Sequence, residues 1–423
     1  MEQAETAPKP WLARYALIWG GQQFSILGSA LAQFALVWWL TQKTGSATVL
    51  ATATMVAVLP SVFLGPFVGA LVDRWNRRFV MIVADGLVAL AALWVVYLFW
   101  AGTMQIWHIY VLMFVRAIGG GFHWPAMMAS TSLMVPKKHL SRVAGINQTM
   151  NGIVNIIAPP LGALLLAVMP LYSIMAIDVV TALLAIAPLL LLTIPQPQRT
   201  APAVDLNFST LWTDVRQGLS FLWGWPGALA LLLLATVVNF LLNPAFSLLP
   251  ILVTKHFGGG PWHLGGIESA WGLGVILGGL ILGVLGGFRR RVLITLMGLV
   301  GMGLSTLVIG LVPAPWFVPA VVAMFFTGTM NPIVNGPVMA LMQTLVPPEM
   351  QGRVFTVIQS VSAAMSPLGL AIAGPVADAF GVQSWFLIGG VVCAVLGAGA
   401  FFVPAIVHLE DGREVQKVAV TEK

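Results

Sequence analysis

Four charged side chains are embedded in long apolar stretches of sequence: Asp85, Arg116, Asp178 and Glu268. A charge at the centre of a bilayer costs on the order of 3 kcal/mol or more, so each needs water, a counter-ion or another polar group beside it. Burial disfavours an ionised carboxylate and a neighbouring guanidinium favours it. An acid that alternates between such surroundings takes up a proton in one and releases it in the other. Asp85, Asp178 and Glu268, with Arg116 as the cation, are therefore candidates for proton coupling. The plainer alternatives are acids that pack or anchor helix ends and an arginine saturated by helix carbonyls. Asp378 and Glu349 lie nearer the ends of their apolar stretches.

A second constellation is Gly69-Ala-Leu-Val-Asp-Arg-Trp-Asn-Arg-Arg78, which sets Asp73 among Arg74, Arg77 and Arg78 at the end of an apolar run. A carboxylate there can accept charge-assisted hydrogen bonds from backbone or arginines. Such a contact would latch one conformation and release in another; a basic loop that only fixes topology is the alternative. Candidates to line a cavity for amphipathic compounds are Gln22, Gln33, Trp38, Arg116, Asn151, Phe240, Asn243, Glu268, Trp271, Asn331 and Asn335. Aromatic faces attract cations, although lipid contact is the commoner use of such rings in a bilayer.

Enzyme chemistry finds little support. The chain has no Gly-x-x-x-x-Gly-Lys-Ser/Thr phosphate loop, no nucleophile elbow and no zinc motif. Its six histidines are scattered, and the one cysteine, Cys393, sits in an apolar run. No cofactor and no metal site are expected.

The elements that must hold these residues follow from composition. Of 423 residues, 59% are hydrophobic and 8% charged, against roughly 25% charged in soluble proteins. The bilayer is the natural solvent, and a helix needs about 20 apolar residues to cross it. Twelve such runs are predicted, at 15–40, 48–72, 79–100, 107–128, 143–168, 172–193, 227–249, 264–287, 292–312, 316–342, 354–378 and 384–407. Placing the N-terminus in the cytoplasm puts every lysine and arginine on that side except Lys43, Lys255 and the intramembrane Arg116. That asymmetry predicts an even number of spans with both termini inside. The first span is expected to stay in the membrane rather than be cleaved. The net charge of +6 is spread over loops rather than gathered in a patch, so nucleic acid is not an expected partner.

The longest polar stretch contains Pro195, Pro197 and Pro202 and then apolar residues at helical spacing over 211–222. It predicts a linker with an amphipathic helix able to lie on the membrane surface. The expected organisation is a six-helix bundle over 1–194, a linker over 195–226, a second bundle over 227–407 and a cytoplasmic tail over 408–423. The halves repeat. Val135-Pro-Lys-Lys-His-Leu-Ser-Arg-Val-Ala-Gly-Ile-Asn-Gln148 matches Val346-Pro-Pro-Glu-Met-Gln-Gly-Arg-Val-Phe-Thr-Val-Ile-Gln359 at five positions, 211 residues apart. Pro160-Leu-Gly162 and Pro367-Leu-Gly369 follow them, and Gly283-Val-Leu-Gly-Gly-Phe-Arg-Arg-Arg291 corresponds loosely to the loop at 69–78. Two parallel repeats imply a secondary transporter with a central cavity open alternately to each side.

Here the chain resembles the major facilitator superfamily. Gly69 to Arg78 looks like that family's signature loop after the second span, with Asn76 where a glycine is usual; asparagine tolerates left-handed backbone. Arg116-Ala-Ile-Gly-Gly120 resembles the fourth-span arginine motif. Ala158-Pro-Pro-Leu-Gly-Ala163 resembles the exporter motif of the fifth span, carried by Pro159, Pro160 and Gly162. Gln33-Phe-Ala-Leu-Val-Trp-Trp-Leu-Thr-Gln-Lys-Thr-Gly-Ser46 and His256-Phe-Gly-Gly-Gly-Pro-Trp-His263 are similar to the macrolide-efflux branch of drug–proton antiporters. The resemblance implies an all-α fold of two pseudo-symmetric six-helix bundles. It also implies a monomer in a bacterial-type cytoplasmic membrane, exporting amphipathic small molecules against protons. An exporter or symporter of an endogenous metabolite or siderophore stays open, as does a lipid scramblase or intramembrane enzyme. No acid lies in the first span, where some drug–proton antiporters keep one; Gln22, Gln23 and Gln33 are there instead.

Overall fold

The computed structural model describes residues 11–196, 208–285 and 290–410, and every regular element among them is helical. Lys9, Pro197, Arg199, Pro202, Arg289, Arg413, Lys417 and Lys423 lie outside the described residues, as do the side chains of Asp73, Glu349 and residues 208–215.

The helices pack as two compact units, with the segment Thr44–Thr52 belonging to the second. The first unit is built from α1 (Trp11–Thr44), α2 (Ala47–Arg74), α3 (Arg77–Trp100), α4 (Ile106–Met134), α5 (Leu140–Val168) and α6 (Leu171–Leu191). The second begins with α7 (Phe208–Trp223), α8 (Pro226–Ser247) and the short α9 (Leu249–Ile251). It continues with α10 (Pro261–Leu285), α11 (Arg291–Leu311), α12 (Phe317–Leu345), α13 (Pro348–Phe380), α14 (Val382–Ala400) and the short α15 (Pro404–Val407).

Each of the twelve predicted runs coincides with a long helix, and among the described residues 11 helices are long and apolar enough to cross a membrane by length and composition. The remaining one is α4. It is 29 residues long, but His108, Arg116, His123 and the Gly119-Gly-Gly121 triplet dilute its apolar run. α14 stops short of the predicted end at 407. Val403 is extended because the residue before a proline is pushed out of the helical region, and Pro404 then starts α15.

Asn76 does not use the left-handed region that asparagine tolerates. Its φ is −69°, and its side chain accepts the Phe79 N–H as the N-cap of α3. A glycine there would leave that orphan amide without a side-chain partner. The predicted linker helix is α7. Gly218 of α7 lies so close to α13 that an added Cβ would be 2.8 Å from Val357, and Leu222 is fully buried with Leu296 and Val354. Part of its apolar face is therefore covered by protein rather than left for a membrane surface.

The repeat seen in sequence recurs as contacts. In the first unit Arg77 Nη1 donates to the Ala129 carbonyl of α4 at 3.0 Å, and Gln196 Oε1 accepts the Arg77 N–H at the start of α3. In the second, Arg291 Nη1 reaches the Ala340 carbonyl of α12 at 3.4 Å, and Glu410 Oε1 accepts the Arg291 N–H at the start of α11. The two Pro-Leu-Gly elements also do one job twice. Gly162 of α5 seats on the Phe34 ring of α1, and Gly369 of α13 seats on the Phe240 carbonyl of α8.

Candidate functional site

The densest polar constellation in the first unit is built from residues two helical turns apart. Gln22 and Ser29 are seven residues apart on α1, and so are Arg116 and His123 on α4. Seven residues at 1.5 Å each bring a helix back to the same face about 10 Å further on. Each helix thus offers two polar side chains, one above the other, and α3 and α6 supply an acid each.

The upper tier joins α1, α4 and α6. Arg116 Nη1 lies 2.7 Å from Asp178 Oδ2, and Ser29 Oγ donates to Asp178 Oδ1 at 2.8 Å. Arg116 Nη2 closes the ring by donating to the Ser29 carbonyl at 3.0 Å. Asp178 is only 2% exposed and Arg116 13%. Both carboxylate oxygens are engaged and the guanidinium is shared between charge and carbonyl, which is what a buried ion pair needs to offset its desolvation. Local sequence makes this approach possible. Gly28, beside Ser29, faces Thr181 so tightly that a Cβ would be 2.1 Å from its hydroxyl. A larger residue would hold α1 away from Asp178.

The lower tier joins α1, α3 and α4. Gln22, 3% exposed, donates from Nε2 to Asp85 Oδ2 at 3.1 Å. His123 Nε2 is 3.5 Å from Asp85 Oδ1. That is within ion-pair range, but the nitrogen makes no hydrogen bond and is sealed from solvent. Gly119 again allows the approach, because an added Cβ would be 2.7 Å from Val88 and close to the Ala84 carbonyl, next to Asp85.

Three of the four predicted coupling residues, Asp85, Arg116 and Asp178, therefore lie in one connected set of helices, together with Gln22. Glu268 belongs to α10 in the second unit. It is half-buried and, among the described residues, has no hydrogen-bond or ion-pair partner. Within the second unit the other cavity candidates have neighbours of their own. Trp271 stands against Phe246, with ring centroids 6.4 Å apart, and Phe240 against Trp385 at 6.3 Å. Asn243 donates to Asn239, and Asn335 to the Asn331 carbonyl, both within their own helices. Trp38 is buried, while Gln33 and Asn151 are half-buried.

The gating candidates are partly engaged. Besides the Arg77 contact, Arg78 ties α3 to the end of α6, donating to the Leu189 carbonyl and, at 2.7 Å, to that of Leu190. A cation at those free carbonyls also suits the helix dipole. Gly69 is exposed and Arg74 half-buried. Pro159 is buried inside α5, Pro160 is half-buried beside it, and Gly162 makes the Phe34 contact.

Two site residues escaped the sequence reading: Ser29 and His123. Their signal was the seven-residue spacing from Gln22 and Arg116.

The profile of the Major Facilitator Superfamily matches residues 18–370 and 246–418. Macrolide efflux protein A of Streptococcus pyogenes is 34% identical over 388 residues, covering 91% of this chain and 95% of that one. The multidrug efflux pump Tap of Mycobacterium tuberculosis is 29% identical over 405 residues, covering 90% and 91%. Among solved structures, a POT family transporter aligns with a TM-score of 0.70 at 13% identity, over 92% of this chain and 96% of that chain. The nucleoside transporter NupG aligns with a TM-score of 0.69 at 12% identity, over 90% and 98%. These two show the shared fold. With twelve long helices, a repeated half and a profile matched along nearly all its length, the chain belongs to the Major Facilitator Superfamily and is a multi-pass membrane transporter rather than an enzyme.

Proposed function

We propose that this protein is a proton-driven exporter of amphipathic small molecules of the macrolide and multidrug type, working by alternating access. The observation that carries the proton half of this reading is the two-tier polar network inside the first unit, Asp85 with Gln22 and His123 and, beside it, the buried Ser29–Arg116–Asp178 ring. Charged residues inside membrane helices are costly and commonly mark ion pathways and proton relays. The similarity to macrolide and multidrug efflux proteins over nine-tenths of the chain supports the cargo and the direction.

The lysine and arginine asymmetry supports an orientation with both termini in the cytoplasm of a bacterial-type cell. The partners of such a device are the bilayer, one small amphipathic molecule and protons, with a single chain as the working unit. Gly69, Asp73 and Arg74, with Arg77 and Arg78 already bound to helix carbonyls, are the proposed gate. Glu268, Trp271 and the asparagines of α8 and α12 are proposed for the cargo.

The test is macrolide accumulation in a susceptible host expressing wild type, Arg116→Ala or an empty vector, with membrane levels matched. Wild type should accumulate less erythromycin than the empty vector, and Arg116→Ala should match the empty vector. Equal accumulation in all three removes the export reading.

A further inference from the structure

We propose that His123 and Asp85 together form the group that exchanges the proton, while Arg116 and Asp178 form a fixed ion pair that positions it. This rests on the proton-coupled reading above and assigns its chemistry to particular atoms.

The two tiers differ in what their acids touch. Asp178 has both oxygens committed, one to a guanidinium at 2.7 Å and one to a hydroxyl at 2.8 Å. Arg116 does not lose its proton under any working condition, and its guanidinium and the Ser29 hydroxyl between them occupy both Asp178 oxygens. Asp85 has a neutral amide on one oxygen and an imidazole facing the other. Histidine is the side chain whose ordinary titration spans the range in which cells hold their proton gradients. The His123 Nε2 is buried, makes no hydrogen bond, and stands 3.5 Å from a carboxylate oxygen. Such an orphan is uncommon in a packed interior and calls for an explanation; the carboxylate oxygen facing it supplies one, a proton shared between the two groups.

The exchange balances simply. Neutral His123 beside ionised Asp85 takes one proton from water on Nε2 and becomes an imidazolium paired with the carboxylate, a neutral unit suited to a dry interior. Returning that proton to water on the other side leaves the Asp85 charge facing only the Gln22 amide. The two states differ by one net charge in a low-dielectric setting. A conformation that admits water to this tier therefore has a different proton affinity from one that excludes it, and unequal affinity is what lets a ligand drive a transition. Of the other charged groups on the surrounding helices, Arg14 and Lys43 of α1 are exposed. Arg77 is held by the Ala129 carbonyl, Arg78 by the end of α6, and Arg116 and Asp178 by each other about 10 Å away. Tyr15 on α1 is a further buried titratable group, packed in the apolar cluster with Met81 and Met127, and His108 is buried near the start of α4.

The test uses the full-length protein in proteoliposomes with radiolabelled erythromycin. Two modes are read: accumulation driven by an imposed pH gradient, and exchange at equal pH on both sides. His123→Gln and Asp85→Asn should each lower gradient-driven accumulation by about tenfold or more. Equal-pH exchange should stay within about twofold of wild type and lose its pH dependence. The double variant should be no worse than either single one. Retention of gradient-driven accumulation in both variants overturns the assignment, and so does parallel loss of both modes, which is what a merely structural role gives. If wild type itself shows exchange but no gradient-driven accumulation, the proton-coupled reading fails first, and that outcome is distinct from one confined to the variants.

Discussion

Asp178 and Asp85 are carboxylates a few ångströms from polar partners in one helical unit, yet their partners give them different work. Removing the acid from the upper tier by Asp178→Asn leaves the Arg116 guanidinium without its counter-ion. Breaking a buried pair from one side costs about 3–5 kcal/mol. The thermal unfolding midpoint in detergent should fall accordingly. Replacing both partners, Arg116→Met with Asp178→Leu, should recover most of that loss, because a well-packed apolar pair removes both desolvation penalties. Transport should not recover with it. A double variant as unstable as Asp178→Asn alone would mean that the ring is held by something other than charge. At this scale the sequence was informative where a residue clashes with its surroundings. Asp85, Arg116 and Asp178 stand out because a charge in an apolar run has few cheap explanations. Ser29 and His123 do not, since a serine or a neutral imidazole can sit in a membrane helix at little cost. Their roles depend on what stands across from them, and only the packing supplies that. Asn76 was legible as a departure but not as a helix cap, because a cap depends on where the next helix begins.

Among the elements, glycine placement decides which helices come close enough to share polar groups. The two Pro-Leu-Gly sites offer a graded comparison. An added Cβ at Gly162 would lie 2.7 Å from the Phe34 ring, while one at Gly369 would lie 2.1 Å from the Phe240 backbone oxygen. A ring can swing aside and a helix backbone cannot. Gly369→Ala should therefore be the more damaging, by about 1–3 kcal/mol of overpacking, with Gly162→Ala milder, as read from thermal unfolding of the two purified variants. Equal losses would mean that the pseudo-symmetric sites relax alike. Another helix end is held from outside. Asp378 of α13 accepts the Ala47 and Thr48 amides at 2.8 and 2.9 Å and the Ser46 hydroxyl at 2.8 Å, which caps the start of α2. The existence and order of the long helices could be read from hydropathy alone. Their ends could not, because α1 and α13 continue well past their apolar runs and α14 stops early at a proline.

For the whole molecule, internal repetition is the strongest constraint. Short strings 211 residues apart already implied two similar halves. The contacts add that Arg77 with Gln196 and Arg291 with Glu410 terminate equivalent helices in the same way, although Gln and Glu share no charge. The likeness ends at the polar tiers. The first unit carries the Asp85 and Asp178 network, while the second offers Glu268 without a partner among the described residues. This asymmetry is what a transporter needs if one half handles the driving ion and the other meets the cargo. The central claim is export driven by protons moving the opposite way. It is tested most directly in inside-out membrane vesicles with an acidified lumen and a fluorescent pH indicator. Adding erythromycin should raise luminal pH in vesicles carrying wild type and leave it unchanged with Arg116→Ala, because drug enters as protons leave. A further fall in luminal pH on adding the drug, or no change with wild type, would contradict the account.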